Sequence, residues 1–124
     1  GGLDGFAYVE IVGIVSIVMA LDVAGFGLGM VEEPLPVGSA GEPSRVRPVE
    51  AEISNGWVPT VGPAWAPEAL SAVAAERDAM NVIHGPLYLT IDQMGDLEIV
   101  RDGMTRPQIE LVAARTSMLN DCFY

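Results

Sequence analysis

Cysteine occurs once in these 124 residues, as Cys122, and histidine once, as His84. A single thiol excludes an internal disulfide framework, and with one imidazole it excludes most structural zinc sites, so no metal and no cofactor is expected. The same scarcity fits a reducing, cytoplasmic setting. Cations are scarce too: six Lys plus Arg stand against seventeen Asp plus Glu, a net charge of −11. That charge repels a phosphate backbone and an anionic bilayer surface alike, which argues against nucleic acid and membrane as partners. Because the acids are scattered along the chain, they read first as a solvated surface. Aromatic residues make up only 6% of a chain that is half hydrophobic. The core must rest on Ala, Val, Ile, Leu and Met, a palette for packed helices more than for a β-sandwich.

A long apolar run is also missing. Ile11 to Leu21 is apolar apart from Gly13 and Ser16, but Glu10 and Asp22 bracket it after eleven residues. A bilayer core needs roughly 20, and no basic leader or cleavage site accompanies the run. It reads as a buried helix that begins at a cap on Asp4 and ends among Gly25, Gly27 and Gly29. Its β-branched residues also permit a strand, which its length and lack of internal turns disfavour. Being apolar nearly all round, this helix should sit in a bundle or an oligomer interface. The glycine triplet has no strand–helix context for a nucleotide loop and reads as a helix terminator.

There is no internal repeat, and three stretches of different character follow one another. Residues 1–30 hold the apolar helix, the end of one helical domain. Residues 31–63 carry six prolines, which break every period and predict an irregular connector that either packs across a subunit surface, where Trp57 and Trp65 could anchor it, or joins two domains. Residues 64–124 open a second helical domain. A helix is predicted from Ala66-Pro67 through Glu76, with Leu70, Val73 and Ala74 buried, then a break near Asn81. A further helix is predicted from a cap on Asp92 to Arg101, and a turn at Asp102-Gly103. His84 reads as an ordinary helix-end residue, and the six methionines read as packing filler.

Thr105-Arg106-Pro107-Gln108 has the Thr-x-x-Gln spacing of a capping box with proline in the first turn, so the last helix opens there and continues to about Leu119. Ile109, Val112, Ala113, Thr116 and Leu119 form its apolar stripe, with Glu110 toward the edge. Arg115 reads equally as a surface arginine or as a carboxylate holder across an interface. Asn120-Asp121 can end this helix and start another. Cys122 would then lie in a first turn, where the positive end of the macrodipole favours a thiolate.

The run from Gln108 to Tyr124, QIELVAARTSMLNDCFY, resembles the approach to the active site of the alkyl hydroperoxidase D-like and carboxymuconolactone decarboxylase superfamily. In its peroxidase-like members a glutamate-bearing helix is followed by Cys-x-x-Cys and then a histidine. Glu110 and Cys122 match the glutamate and the first cysteine in type and separation. The second cysteine would fall at position 125, and His84 is too far upstream to be the family's histidine. More weakly, Tyr8-Val9-Glu10-Ile11-Val12-Gly13-Ile14-Val15 resembles the helix after the catalytic pair, and Gly41-Glu42-Pro43-Ser44-Arg45 the connector after that. The order suggests the junction of a two-repeat protein, or one of two complementary pieces.

The resemblance implies an all-α helical bundle of the alkyl hydroperoxidase D-like type, with a long Pro-rich connector. It implies a thiol-dependent peroxidase with Cys122 and Glu110 as catalytic residues. A hydroperoxide substrate, a dithiol reductant and an oligomer or complementary chain would be its partners. Two other readings remain: a decarboxylase-type member of the superfamily that needs no thiol pair, and a non-catalytic helical assembly segment.

Overall fold

The computed structural model describes residues 2–42, 45–65 and 68–122. The chain divides into two compact units, Gly1–Tyr88 and Leu89–Tyr124, with the boundary inside the 64–124 stretch.

In the first unit, α1 spans Gly5–Gly27. The Asp4 carboxylate accepts from the N–H groups of Phe6 and Ala7 at 3.0 and 3.1 Å, which satisfies two donors that the first turn leaves open. The Ala7 N–H, with Arg47 adding to it, holds the Asp4 carboxyl below its ordinary value. At the other end Gly29 takes a φ of +66°. This left-handed residue lets the Met30 N–H reach Gly25 O and the Gly29 N–H reach Phe26 O, at 2.9 and 3.1 Å. The expected helix and both of its ends are therefore present. Counting only the residues between Glu10 and Asp22 understated its reach: at 23 residues α1 is long and apolar enough to cross a membrane.

Only Val9 and Gly13 of α1 are buried. Val9 joins Leu70 and Ala72 in a small core against which Phe6, Ala51, Val58, Val73 and Met80 pack. The cover for this face is α2, Ala74–Leu87. The two helices approach closely at Gly13, where a Cβ would stand only 2.8 Å from Cβ and Cγ of Glu76.

Residues 31–63 contain no helix among those described, as six prolines require, but they are not wholly irregular. β1, Ala51–Glu52, and β2, Thr60–Val61, pair antiparallel with Ala51 opposite Val61. Fully buried Ser71 secures this hairpin: its hydroxyl accepts from the Val61 N–H at 2.8 Å and donates to Glu68 O at 2.6 Å. Trp57 is 96% exposed and Trp65 half-exposed, so within one chain neither fastens the connector. Arg47 does so instead, by pairing with Asp4 and lying 4.9 Å above the Phe6 ring.

The second helical block differs from expectation. Ala66 and Pro67, its expected start, lie outside the described residues. Glu68–Val73 forms tight i→i−3 turns, with Ser71 N–H on Glu68 O and Val73 N–H on Leu70 O. The helix proper starts only at Ala74, so Ala74 is exposed while Leu70 and Val73 still face the core. It then runs through Asn81 without a break and takes in Pro86.

In the second unit α3 is a single turn, Ile91–Met94, capped by Thr90 in place of Asp92. Thr90 and Gln93 bond reciprocally: the Gln93 N–H donates to Thr90 Oγ1 and the Thr90 N–H to Gln93 Oε1, at 3.3 and 3.1 Å. The predicted helix to Arg101 is absent. Those residues form a turn and β3, Val100–Arg101, which pairs with β4, Met104–Thr105. Asp102 and Gly103 both have positive φ, +50° and +83°, the pattern of a type I′ hairpin turn. α4 follows directly as Arg106–Leu119. Gln108 Oε1 accepts from the Thr105 N–H at 2.8 Å and from its hydroxyl at 3.0 Å. Among the described residues of this unit, Leu89 and Ile109 are the buried apolar ones. The fold is thus mostly helical with two small antiparallel hairpins, rather than all-α, because glycine-bearing turns at 51–61 and 100–105 favour hairpins over further helix.

The α1–α2 contact generates a pH-dependent prediction. Burial, and next the nearby Glu10 charge, push the Glu76 carboxyl above its ordinary value of 4.5. A raised carboxyl is tolerated when protonated, so stability is highest below the unfolded value and falls as pH rises through the folded one. Glu76→Gln is expected to raise the melting temperature at pH 7 and to change it little at pH 4, as followed by circular dichroism. An equal effect at both values would contradict the assignment.

Candidate functional site

The two residues singled out by the sequence, Glu110 and Cys122, lie in the second unit, one on α4 and one just past its end, and the geometry starts from Arg106. This side chain is only 11% exposed. Its Nη1 lies within hydrogen-bond distance of three backbone carbonyls, those of Gln93, Met94 and Asp96, at 3.2, 3.1 and 3.1 Å. These carbonyls lie at and just beyond the C-terminal end of α3, and that of Gln93 also accepts from the backbone N–H groups of Gly95 and Asp96. Its Nε donates to Glu110 Oε1 at 2.6 Å, across one turn of α4. The guanidinium therefore ties α3 to α4 and fixes Glu110, whose side chain is 45% exposed, on a defined face.

Cys122 is a free, exposed thiol. It follows the end of α4, where Asp121 takes φ +49° and the Cys122 N–H closes back onto Ser117 O at 2.9 Å. This is the same six-residue closure that ends α1, here with aspartate in the left-handed position. Asn120 completes the cap by donating from Nδ2 to Thr116 O at 2.8 Å. The second helix that was expected to begin at Cys122 would involve Phe123 and Tyr124, which lie outside the described residues, as do Pro43 and Ser44 of the expected connector motif.

Glu110 sits in the second turn of α4 and Cys122 beyond its far end. Nine helical steps from Glu110 to Leu119 alone separate the two groups by about 14 Å along the axis. Within one chain the carboxylate and the thiol stand near opposite ends of α4 and are not in contact. The apolar stripe of α4 is used only in part: Ile109 is buried, while Val112 and Leu119 are mostly exposed.

Other residues noted in the sequence lie elsewhere. His84 lies in the last turn of α2 with its ring edge-on to Tyr88, centroids 5.6 Å apart. Met80 packs on the core, but Met19, Met30, Met104 and Met118 are exposed and fill no interior space. A cleft of about 350 Å³ in the first unit is bordered by Asp4, Phe6, Glu10, Arg47 and Val73, and its Asp4–Arg47 pair neutralises part of its own charge. Among the described residues no three His, Cys, Asp or Glu side chains converge as metal ligands would.

Sequence reasoning passed over the role of Arg106, although its spacing to Glu110, i to i+4, was a usable signal. Its hold on the α3 carbonyls had no such signal. Compared with known proteins, the chain matches no family profile, no curated protein and no solved structure.

Arg106→Ala should lower the stability of the chain by about 2 kcal/mol, because charge-assisted hydrogen bonds are lost and carbonyls are left without that donor. Arg106→Lys should recover little of this, since an ammonium cannot reproduce the planar fork. Chemical denaturation of the three proteins measures it, and a neutral Arg106→Ala would show that water replaces the guanidinium at no cost.

Proposed function

We propose that this chain contributes one thiol and one carboxylate to a hydroperoxide-reducing site of the alkyl hydroperoxidase D-like type. The observation that carries the reading is an exposed free thiol at Cys122, placed directly after a capped helix that holds Glu110 in a fixed ion pair. A thiolate attacks the terminal oxygen of the hydroperoxide. The O–O bond breaks, the thiol becomes a sulfenic acid, and the alkoxide leaves as an alcohol once protonated. A second thiol, at the position three residues after Cys122 in the Cys-x-x-Cys relay, condenses with the sulfenic acid to give a disulfide and water. An external dithiol then reduces the disulfide, so each turnover consumes one hydroperoxide and two electrons from the dithiol. If Cys122 instead resolves, the same balance holds with the two sulfurs exchanged.

Glu110 would carry the proton lost by the thiol to the departing alkoxide. The axial separation along α4 means that this transfer runs through water or through groups on further segments packed against the helix. A second reading, as a non-catalytic assembly segment, is favoured by one observation: α1 leaves most of its apolar circumference uncovered.

The test is steady-state hydroperoxide reduction with saturating dithiol, in the polypeptide that supplies the second thiol. Cys122→Ser is expected to abolish turnover, because either thiol role is essential to the cycle. Glu110→Gln should cut the rate by about 10²-fold or more while helix content stays the same, since it keeps the size and removes the titrating group. Undiminished turnover in Cys122→Ser would overturn the mechanism and leave the assembly reading.

A further inference from the structure

We propose that Asn55 is a site of self-modification: the backbone nitrogen of Gly56 displaces the Asn55 side-chain amide, which converts this asparagine to aspartate and isoaspartate. Asn55-Gly56 lies in the loop that joins β1 to β2. Asn-Gly is the pair best suited to a two-residue hairpin turn, which holds both residues at positive φ. Here neither residue has a positive φ, in contrast to Asp102 and Gly103. The fold does not use the pair as a turn, and nothing else ties it down. Among the described residues neither the Gly56 N–H nor the Asn55 side-chain amide has a hydrogen-bond partner, and Asn55 is exposed to water.

The chemistry needs only this chain and solvent. The Gly56 nitrogen, deprotonated by solvent base, attacks Cγ of Asn55. A C–N bond forms, the bond from Cγ to Nδ2 breaks, and ammonia leaves with the proton that the backbone gave up. Water then opens the cyclic imide. Cleavage between the ring nitrogen and Cγ gives aspartate. Cleavage between the ring nitrogen and the backbone carbonyl carbon gives isoaspartate, in which the main chain runs through the former side chain. One water is consumed and one ammonia released, with no oxidation or reduction. Glycine suits the step because it has no Cβ to crowd its nitrogen or to restrict the backbone.

The chain has two other asparagines, and the fold protects both. Asn81 lies inside α2, where the Val82 N–H belongs to the helix ladder and the Val82 side chain is β-branched. Asn120 caps α4 with its Nδ2 on Thr116 O at 2.8 Å, and Asp121, which follows it, carries a side chain. At either position attack requires a local opening that Asn55 does not need.

Each event adds one negative charge to a chain that already carries −11, and the isoaspartate product adds one methylene to the backbone of the loop. The ends of the loop are held, since Ala51 pairs with Val61 and the Val61 N–H donates to Ser71. The change is therefore confined to the loop, where Trp57 stands exposed two residues from the new carboxylate.

The experiment incubates the full chain under reducing conditions at neutral pH and follows all three asparagines by peptide mapping, with fragmentation that tells isoaspartate from aspartate. Asn55 is expected to convert at least about tenfold faster than Asn81 or Asn120, and within a few-fold of its own rate in denaturant, because the fold does not protect it. Its rate should rise with pH, since the nucleophile is a deprotonated amide. Gly56→Ala should slow conversion by about tenfold or more. The added Cβ would stand 3.6 Å from the Ala64 Cβ, an ordinary contact, so helix content by circular dichroism should match the parent. An Asn55 that stays an amide, equal rates at all three positions, acceleration of Asn55 by tenfold or more in denaturant, or a folded Gly56→Ala variant that converts as fast as the parent would overturn the proposal.

Discussion

The first unit turns on a place where a side chain is missing. At Gly13 the bare backbone of α1 leaves room for the stem of Glu76, and no larger residue fits without displacing it. That close approach brings α2 against the helix and puts a carboxylate beside Glu10 in a partly dry crevice, which raises its affinity for a proton. The contact is thus structurally tight and electrostatically unfavourable. Few other side chains share the task, because the buried apolar core near it consists of Val9, Leu70 and Ala72. Much of what defines this unit is instead local and polar: Asp4 at one end of α1, Gly29 at the other, Arg47 across Asp4 and Phe6, and Ser71 beneath a hairpin of two residue pairs.

The second unit is organised in a similar way, around the guanidinium of Arg106. One planar cation gathers three carbonyls from the end of α3 and one carboxylate from α4. Arginine suits this task because it is always charged and its donors point in fixed directions. The consequence for chemistry is that Glu110 does not wander. Its position is set by a buried side chain, whereas the thiol at Cys122 is set only by a helix cap.

How much of this was legible in the sequence depends on how local the cause was. Asp4, Gly29 and the Thr105–Gln108 pair act through backbone geometry within a few residues, and the helices they bound lie where the pattern put them; the turn at Asp102-Gly103 is also where expected, but it joins two strands in place of following a helix. The four-residue helix at Ile91 was misplaced because Thr90 and Asp92 are both good caps, and only Thr90 has a glutamine three residues on. The hairpin at 51–61 was missed because it depends on Ser71, ten residues beyond its second strand and invisible to any periodicity. The tryptophans were expected to hold this segment on a neighbouring surface; within one chain they are exposed, and the segment is fastened by an arginine. For the candidate site, the sequence supplied Glu110 and Cys122 with their spacing. It did not supply Arg106 as the anchor, nor the distance that a straight helix imposes between the two.

One junction in the second unit constrains how its sequence can vary. β4 ends at Thr105 and α4 begins at Arg106, with no residue between them. The tight turn at Asp102-Gly103 therefore acts as an indexing device: it fixes the strand register, the register fixes Thr105 as cap, and the cap fixes the rotational phase of the helix. Adding one residue after the turn would rotate every α4 side chain by about 100° about the axis. Arg106 would leave the carbonyls of Gln93, Met94 and Asp96, and the faces carrying Leu111 and Arg115 would point elsewhere. A surface hairpin is ordinarily where a chain accepts length changes most readily. Here the number of residues in it carries as much information as their identity.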